Sequence, residues 1–180
     1  NPSRGDDALG PLLMAGLESQ DWPDVRLVSD FQLQIEHALD LDGCDLALFI
    51  DAGTGTPAPF TFSETAPASG RPVSSHSLPP AAVLQVFADI RGMPPPPAFV
   101  LCVRGEDFGL GKALSEAARR HLEAAQAHLG TCLAHPDATS WRRLKYAVSP
   151  STSETATSAM TANTLAWTLP RIVLAGPAGS

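Results

Sequence analysis

Hydrophobic positions along the chain form two patterns, one typical of amphipathic helices and one typical of buried strands. Apolar residues recur at helical spacing over residues 9–19 and 114–133. The prolines after Leu78 indicate the first turn of a further helix that extends to Ile90. Residues 31–39 fit either a strand or a helical turn, and both alternatives stay open.

Short apolar runs bounded by turn residues predict the strands of a sheet. These runs lie at residues 25–28, 45–50, 98–103 and 171–175. The second run is apolar throughout from Leu46, as expected of a central strand that is covered on both faces. Residues 60–64 alternate, which is typical of an edge or antiparallel strand. Strands that alternate with helices predict an α/β fold.

The last predicted strand indicates an unusual chain order. The first helix follows the acidic turn "RGDDALG", and a glycine-bounded turn of this kind normally follows a buried strand. The strand that fits is "RIVLAG" near the end of the sequence, shortly after Met160, which resembles a natural start. We therefore expect a circularly permuted order in which residues 160–176 precede Asn1. The alternative is an ordinary C-terminal edge strand.

This order predicts how the chain divides. A single domain would consist of residues 1–133 and 160–176, with a tail or linker at 134–159 and a joining segment at 177–180.

Composition excludes several classes of function. With 44% hydrophobic and 17% charged residues, the 180-residue chain is typical of a globular domain with a core. Its net charge of −7 argues against general nucleic-acid binding. No apolar run reaches the ~18 residues of a membrane span. Cys44, Cys102 and Cys132 lack the spacing of a zinc site and are expected to be buried thiols of a reducing cytosol.

Acidic side chains fall where ligand sites are expected. Asp6 and Asp7 lie at a helix start, where either both cap backbone N–H groups or one caps and the other reaches a metal or substrate. Asp30 and Asp51 follow predicted strands, and the carboxyl ends of parallel strands meet at one edge of a sheet. We therefore expect these two carboxylates side by side, near the Asp6-Asp7 turn.

One histidine joins these carboxylates as a candidate ligand. His76 precedes the proline-led helix, and Asp7, Asp51 and His76 offer the oxygen and nitrogen ligands that suit nickel or zinc. An ordinary loop histidine is the alternative for His76. The remaining histidines are expected at helix surfaces or helix ends; they are His37, His121, His128 and His135.

These segments together resemble the hydrogenase maturation endopeptidases. That family opens with a strand, a Gly-x-Gly-Asn turn and an acidic pair, and this chain shows the pattern when "RIVLAG" is joined to "NPSRGDDALG". The resemblance continues through "LFIDAG" and "SSHSLPPAAVLQVF" and covers nearly all of the chain except residues 134–159. It implies a three-layer α/β fold with a twisted, mostly parallel five-stranded sheet between helices.

The resemblance also implies a function and a set of residues. Members remove the C-terminal extension of the [NiFe]-hydrogenase large subunit once nickel is in place, and the implied nickel contacts are Asp7, Asp51 and His76. Asp30 matches a further acidic position. There most members have an Asp-Gly-Gly-Thr type run, whereas this chain has "DFQLQIEHALDL", which looks like the subgroup serving cytoplasmic NAD-reducing, bidirectional hydrogenases. A monomeric protein is expected.

The mechanism that we favour needs no permanently bound metal. Asp7, Asp51 and His76 would complete the coordination of nickel already held by the precursor, so that nickel serves as a recognition element, with a Lewis-acid role open. Asp30 is the candidate for orienting the peptide or acting as general base. Two other readings stay open, namely a chaperone that binds the nickel site without cutting and a hydrolase with its own zinc.

Overall fold

Five strands form one mixed sheet in the computed structural model, which describes residues 5–20, 22, 24–30, 32–68, 78–144 and 172–177. The strands are β1 (Val25–Asp30), β2 (Leu46–Gly53), β3 (Phe60–Thr65), β4 (Ala98–Arg104) and β5 (Ile172–Pro177). Their order across the sheet is β1-β5-β2-β4-β3. Only β3 is antiparallel to its neighbour. The predicted α/β class is confirmed, as is the predicted antiparallel strand.

Strand β5 lies inside the sheet, between β1 and β2. Ile172 is level with Val25 of β1 on one side and with Leu46 of β2 on the other, and both pairings are parallel. The central position expected for this strand is therefore observed. An interior parallel strand joins its two neighbours, so β5 connects β1 to the rest of the sheet. The circularly permuted order stays a prediction.

Helices cover both faces of the sheet. One face carries α1 (Leu9–Glu18), α3 (Glu116–Ala134) and α4 (Ala138–Leu144), and the other carries α2 (Pro80–Arg91) and a 3₁₀ helix (Ile35–Leu41). Alternate residues of β2 supply the two cores: Leu48 and Ile50 face the first group, and Phe49 faces the second. None of the helices in the described ranges is long and apolar enough to cross a bilayer.

Helix α4 was not expected from the sequence. Residues 138–144 were assigned to a tail or linker, yet Trp141 is fully buried in the core. Its indole Nε1 donates to the Cys132 carbonyl oxygen at 2.9 Å, and its ring lies 5.2 Å from that of Phe99 in an edge-on contact. Burial of this large ring joins α4 to the domain. Residues 145–171 lie outside the described part of the chain.

Candidate functional site

Candidate residues reach one edge of the sheet from separate strands. Asp30 ends β1 and is level with Pro177, while Phe49 of β2 is level with Ala175. Asp51 lies two residues beyond Phe49 and therefore also stands close to the level of Pro177. Because β5 separates β1 from β2, the two aspartates are about 10 Å apart at the backbone, two strand spacings. The expected side-by-side arrangement is thus replaced by one in which they flank β5.

Asp51 and Asp7 form a pair of carboxylates on this edge. Asp7 belongs to a 3₁₀ helix (Gly5–Ala8) that leads into α1, and it is only 3% exposed. Burial raises the pKa of Asp51, the Ala52 N–H that donates to Oδ1 at 2.7 Å opposes that shift, and the charge of Asp7 raises the pKa further. The two side chains are therefore close enough to repel, and a cation between them would relieve that repulsion.

Asp6 has a different environment from its neighbour. Its buried carboxylate accepts hydrogen bonds from the backbone N–H groups of Glu106, Asp107 and Ser115 at 2.7, 2.9 and 2.7 Å. The Ser115 hydroxyl also donates to it at 2.8 Å and accepts from the Ala118 N–H, so Ser115 caps α3. Asp6 thereby fixes the loop after β4 and the start of α3 beside Asp7.

The local backbone explains why Asp6 can reach this loop. Gly5 has φ +57°, and a Cβ there would clash with the Asp107 carbonyl oxygen. That carbonyl accepts from the Asp6 N–H at 2.8 Å, and the Gly5 N–H donates to the Lys112 carbonyl at 3.1 Å. The expectation that Asp6 or Asp7 caps the first helix is wrong, because the residue before α1 is Ala8 and no side chain caps it.

Asp30 is paired with His37, although the sequence predicts this histidine at a helix surface or end. His37 is 7% exposed, and its Nε2 lies 3.5 Å from Asp30 Oδ2. Its Nδ1 accepts the Gln34 N–H at 2.8 Å. His128 was also misassigned, since it is 7% exposed and its ring lies against those of Phe60 and Phe62. Helical spacing did not reveal either contact, because the partners lie on strands.

Cys102 lies beside Asp51, since the two residues are level on adjacent strands β4 and β2. Burial raises the pKa of the Cys102 thiol, the contact with Thr56 Oγ1 at 2.9 Å lowers it, and the charge of Asp51 raises it again. The net shift is upward, so the thiol stays protonated near neutral pH. A thiol that stays protonated is a poor nucleophile.

The predicted nickel-binding set cannot be assembled from the described residues alone. His76 lies outside them, so its distance from Asp7 and Asp51 stays untested. Within residues 5–68 and 78–144 of the described part, no group of three or more His, Cys, Asp or Glu side chains is arranged to hold a metal ion. The nickel contacts expected of Asp7, Asp51 and His76 therefore stay a prediction.

A cavity of about 340 Å³ lies elsewhere, between α1 and α3. Leu13, Leu17, Leu129 and Leu133 line it together with Trp22 and small or amide-bearing residues. It contains none of the acidic candidates. We therefore place the candidate site at the carboxyl edge of the sheet, where the carboxylates gather, and not in this cavity.

Two solved structures share the fold. A [NiFe] hydrogenase maturation protease, HycI from Thermococcus kodakarensis KOD1, is 24% identical with a TM-score of 0.56, over 75% of this chain and 88% of its own. The hydrogenase maturating endopeptidase HybD from E. coli is 21% identical with a TM-score of 0.59, over 76% of this chain and 88% of its own. No family model and no curated protein sequence matches the chain. At these identities the likeness establishes the fold.

Proposed function

We propose that this chain is an endopeptidase that removes the C-terminal extension of a [NiFe]-hydrogenase large subunit after nickel insertion. The observation that carries the proposal is a pair of carboxylates, the buried Asp7 and the half-buried Asp51, at the carboxyl edge of the sheet. Two proteases of hydrogenase maturation share this fold. Open α/β sheets bind their ligands at that edge. Charge repulsion between the two carboxylates favours a positively charged ligand there.

Nickel in this proposal is part of the substrate. Asp7 and Asp51 would supply oxygen ligands, and His76 a nitrogen ligand, to the ion that the immature large subunit carries. A precursor without nickel would lack this attachment point, so recognition would report on completed metal insertion. The protein would act in the cytoplasm as a monomer.

Asp30 would act on the peptide bond itself. It is the acidic residue on the other side of β5 from Asp51, and its side chain is 42% exposed. As the water oxygen bonds to the scissile carbonyl carbon, Asp30 would accept a proton from that water. The proton would pass to the leaving amine nitrogen when the C–N bond breaks.

Two finer assignments belong to the same proposal. The run "DFQLQIEHALDL" supports the subgroup that serves NAD-reducing, bidirectional hydrogenases. The interior position of β5 supports a natural order in which residues 160–176 precede the acidic turn, because β5 followed by α1 would then form an ordinary strand-turn-helix unit.

Mass spectrometry of a nickel-loaded precursor after incubation with trace amounts of the protein tests the function. We expect loss of the extension from excess precursor with the wild-type chain, and no loss with Asp51→Ala or His76→Ala. Asp89→Ala is the matched control, because Asp89 is an exposed carboxylate near the end of α2 that accepts a hydrogen bond from the Gln85 side-chain amide. Normal processing by both site variants would refute the proposal.

The same samples separate the other two candidate functions. A nickel-site chaperone would shift the precursor on a native gel in proportion to its own amount without converting it. A hydrolase with its own metal would contain close to one zinc ion per chain after purification.

A further inference from the structure

His37 lies beside the end of β1, on the face of the sheet that α2 covers. It belongs to the 3₁₀ helix Ile35–Leu41, and its ring is almost fully buried at 7% exposure. A buried imidazole normally has a defined partner for each ring nitrogen. Here Nδ1 contacts a backbone N–H and Nε2 lies near a carboxylate, and this difference indicates which nitrogen carries the hydrogen.

The backbone determines the tautomer of this histidine. Nδ1 has two Gln34 contacts, the N–H at 2.8 Å and the carbonyl oxygen at 3.3 Å, and the shorter of them, in which the N–H donates, favours a lone pair on Nδ1. A neutral imidazole then has its hydrogen on Nε2. That nitrogen lies 3.5 Å from Asp30 Oδ2, so its hydrogen is next to a carboxylate.

Asp30 is the more accessible member of the pair. Its side chain is 42% exposed and stands at the last residue of β1, on the sheet edge that carries Asp51. A carboxylate on a strand end can rotate about two side-chain bonds. An N–H from a rigid, buried ring on one side restricts that rotation and leaves the accessible side directed outward.

We propose that His37 is a positioning residue that orients the Asp30 carboxylate toward the scissile peptide through its Nε2–H. The inference rests on the proposed function, which gives Asp30 its role in peptide hydrolysis. His37 does not touch the substrate. The backbone of Gln34 orients the imidazole, and the imidazole orients the acid, as outer hydrogen-bond partners orient reactive groups in other enzymes.

Two substitutions at position 37 separate orientation of Asp30 from local stability. The side-chain oxygen of His37→Asn reaches the place of Nδ1 and keeps the acceptor for the Gln34 N–H, but it removes the donor to Asp30. The side-chain amide nitrogen of His37→Gln reaches the place of Nε2 and keeps that donor, but it removes the acceptor. The first variant therefore tests positioning, and the second tests the structural contact.

Cleavage kinetics on nickel-loaded precursor give the decisive result. We expect His37→Asn to lower kcat by about 10–100-fold, which is the loss typical of replacing a residue that orients a reactive group through a hydrogen bond. KM should stay within about twofold. His37→Gln should recover most of kcat while its Tm falls by about 2–4 °C through the lost cap. In an Asp30→Asn background, His37→Asn should have no further effect on kcat. Unchanged kcat in His37→Asn, or an equal loss in both backgrounds, overturns the inference.

A second measurement separates this inference from the proposed function. Imidazole ¹⁵N NMR should show His37 with hydrogen on Nε2, and Asp30→Asn should move the Nε2 resonance much more than the Nδ1 resonance. A wild-type chain that does not cleave the precursor refutes the proposed function whatever the spectrum shows. A wild-type chain that cleaves, with an Nδ1–H tautomer or a spectrum insensitive to Asp30→Asn, overturns the role of His37 alone.

Discussion

Asp6→Ala tests whether a single buried carboxylate fixes the loop beside the candidate site. The substitution removes four hydrogen bonds and leaves the N–H groups of Glu106, Asp107 and Ser115 without their acceptor. Bonds to a charged group contribute about 1.5–3 kcal/mol each, and each buried donor left without a partner costs about 1–3 kcal/mol. These terms overlap, so we expect a loss of about 3–5 kcal/mol in the free energy of unfolding, as for other broken buried charge networks.

The pH dependence of this effect has a defined sign. Burial alone would raise the pKa of Asp6, but the hydrogen bonds from Ser115, Asp107 and Glu106 outweigh it, so the pKa lies below its ordinary value of 3.8. The unfolded chain then binds the proton more readily than the folded one. The stabilisation by Asp6 is fully present above about pH 4 and is lost as the pH falls through the folded-state pKa.

Urea unfolding followed by circular dichroism between pH 3 and pH 8 provides the assay. Asp6→Asn keeps one acceptor oxygen and should lose roughly half of the stability that Asp6→Ala loses, by the same hydrogen-bond values. The matched control is Glu116→Ala, in the first turn of α3, whose side chain is 80% exposed. It should change stability by less than about 1 kcal/mol. An Asp6→Ala loss no larger than that of the control, or one that persists undiminished at pH 3, would refute the reasoning.

Three further predictions concern the ionisable groups and the last strand. Asp51→Asn should raise Tm at pH 7, because the raised pKa means that the ionised carboxylate destabilises the fold, and it should reduce cleavage, because a charged oxygen ligand for nickel is lost; a lower Tm would contradict this. Burial lowers the pKa of His128, so the free energy of unfolding of the wild-type chain should fall as the pH drops below about 6.5. In urea titrations His128→Phe should flatten that fall, whereas His135→Gln, a control at an exposed position, should not. Ending the chain at residue 159 removes β5 and should abolish cooperative thermal unfolding by circular dichroism, which a sharp transition would disprove.

Local apolar pattern was sufficient to predict the centre of the sheet. Strands β2 and β4 are continuous hydrophobic runs because helices cover both of their faces, and the aspartate that follows such a run had to emerge at the carboxyl edge. Helix α4 was missed for the opposite reason. Its short sequence, "ATSWRRL", has only two large apolar residues, the fully buried Trp141 and the partly buried Leu144, which are too few to show a helical period.

Partners distant in the sequence could not be predicted from local patterns. The groups that bind Asp6 lie 100 to 109 residues away, and they converge only because the loop after β4 folds over the start of α1. His37 lies in a 3₁₀ helix, where the 3.6-residue period does not indicate which face is buried. Its contact with Asp30 depends on the place where β1 ends and on the turn that follows.

Asp6 and Asp51 show how the surroundings of a carboxylate determine whether the protein compensates its charge. Asp6 is surrounded by N–H and O–H donors that favour its charge and hold its pKa down, so it has little left to offer a ligand. Asp51 accepts the Ala52 N–H, but its burial and the charge of Asp7 raise its pKa. A buried carboxylate whose charge the protein does not compensate gains free energy when a cation arrives. On the proposed function, a nickel-bearing precursor would therefore stabilise the ionised form of Asp51 more than that of Asp6.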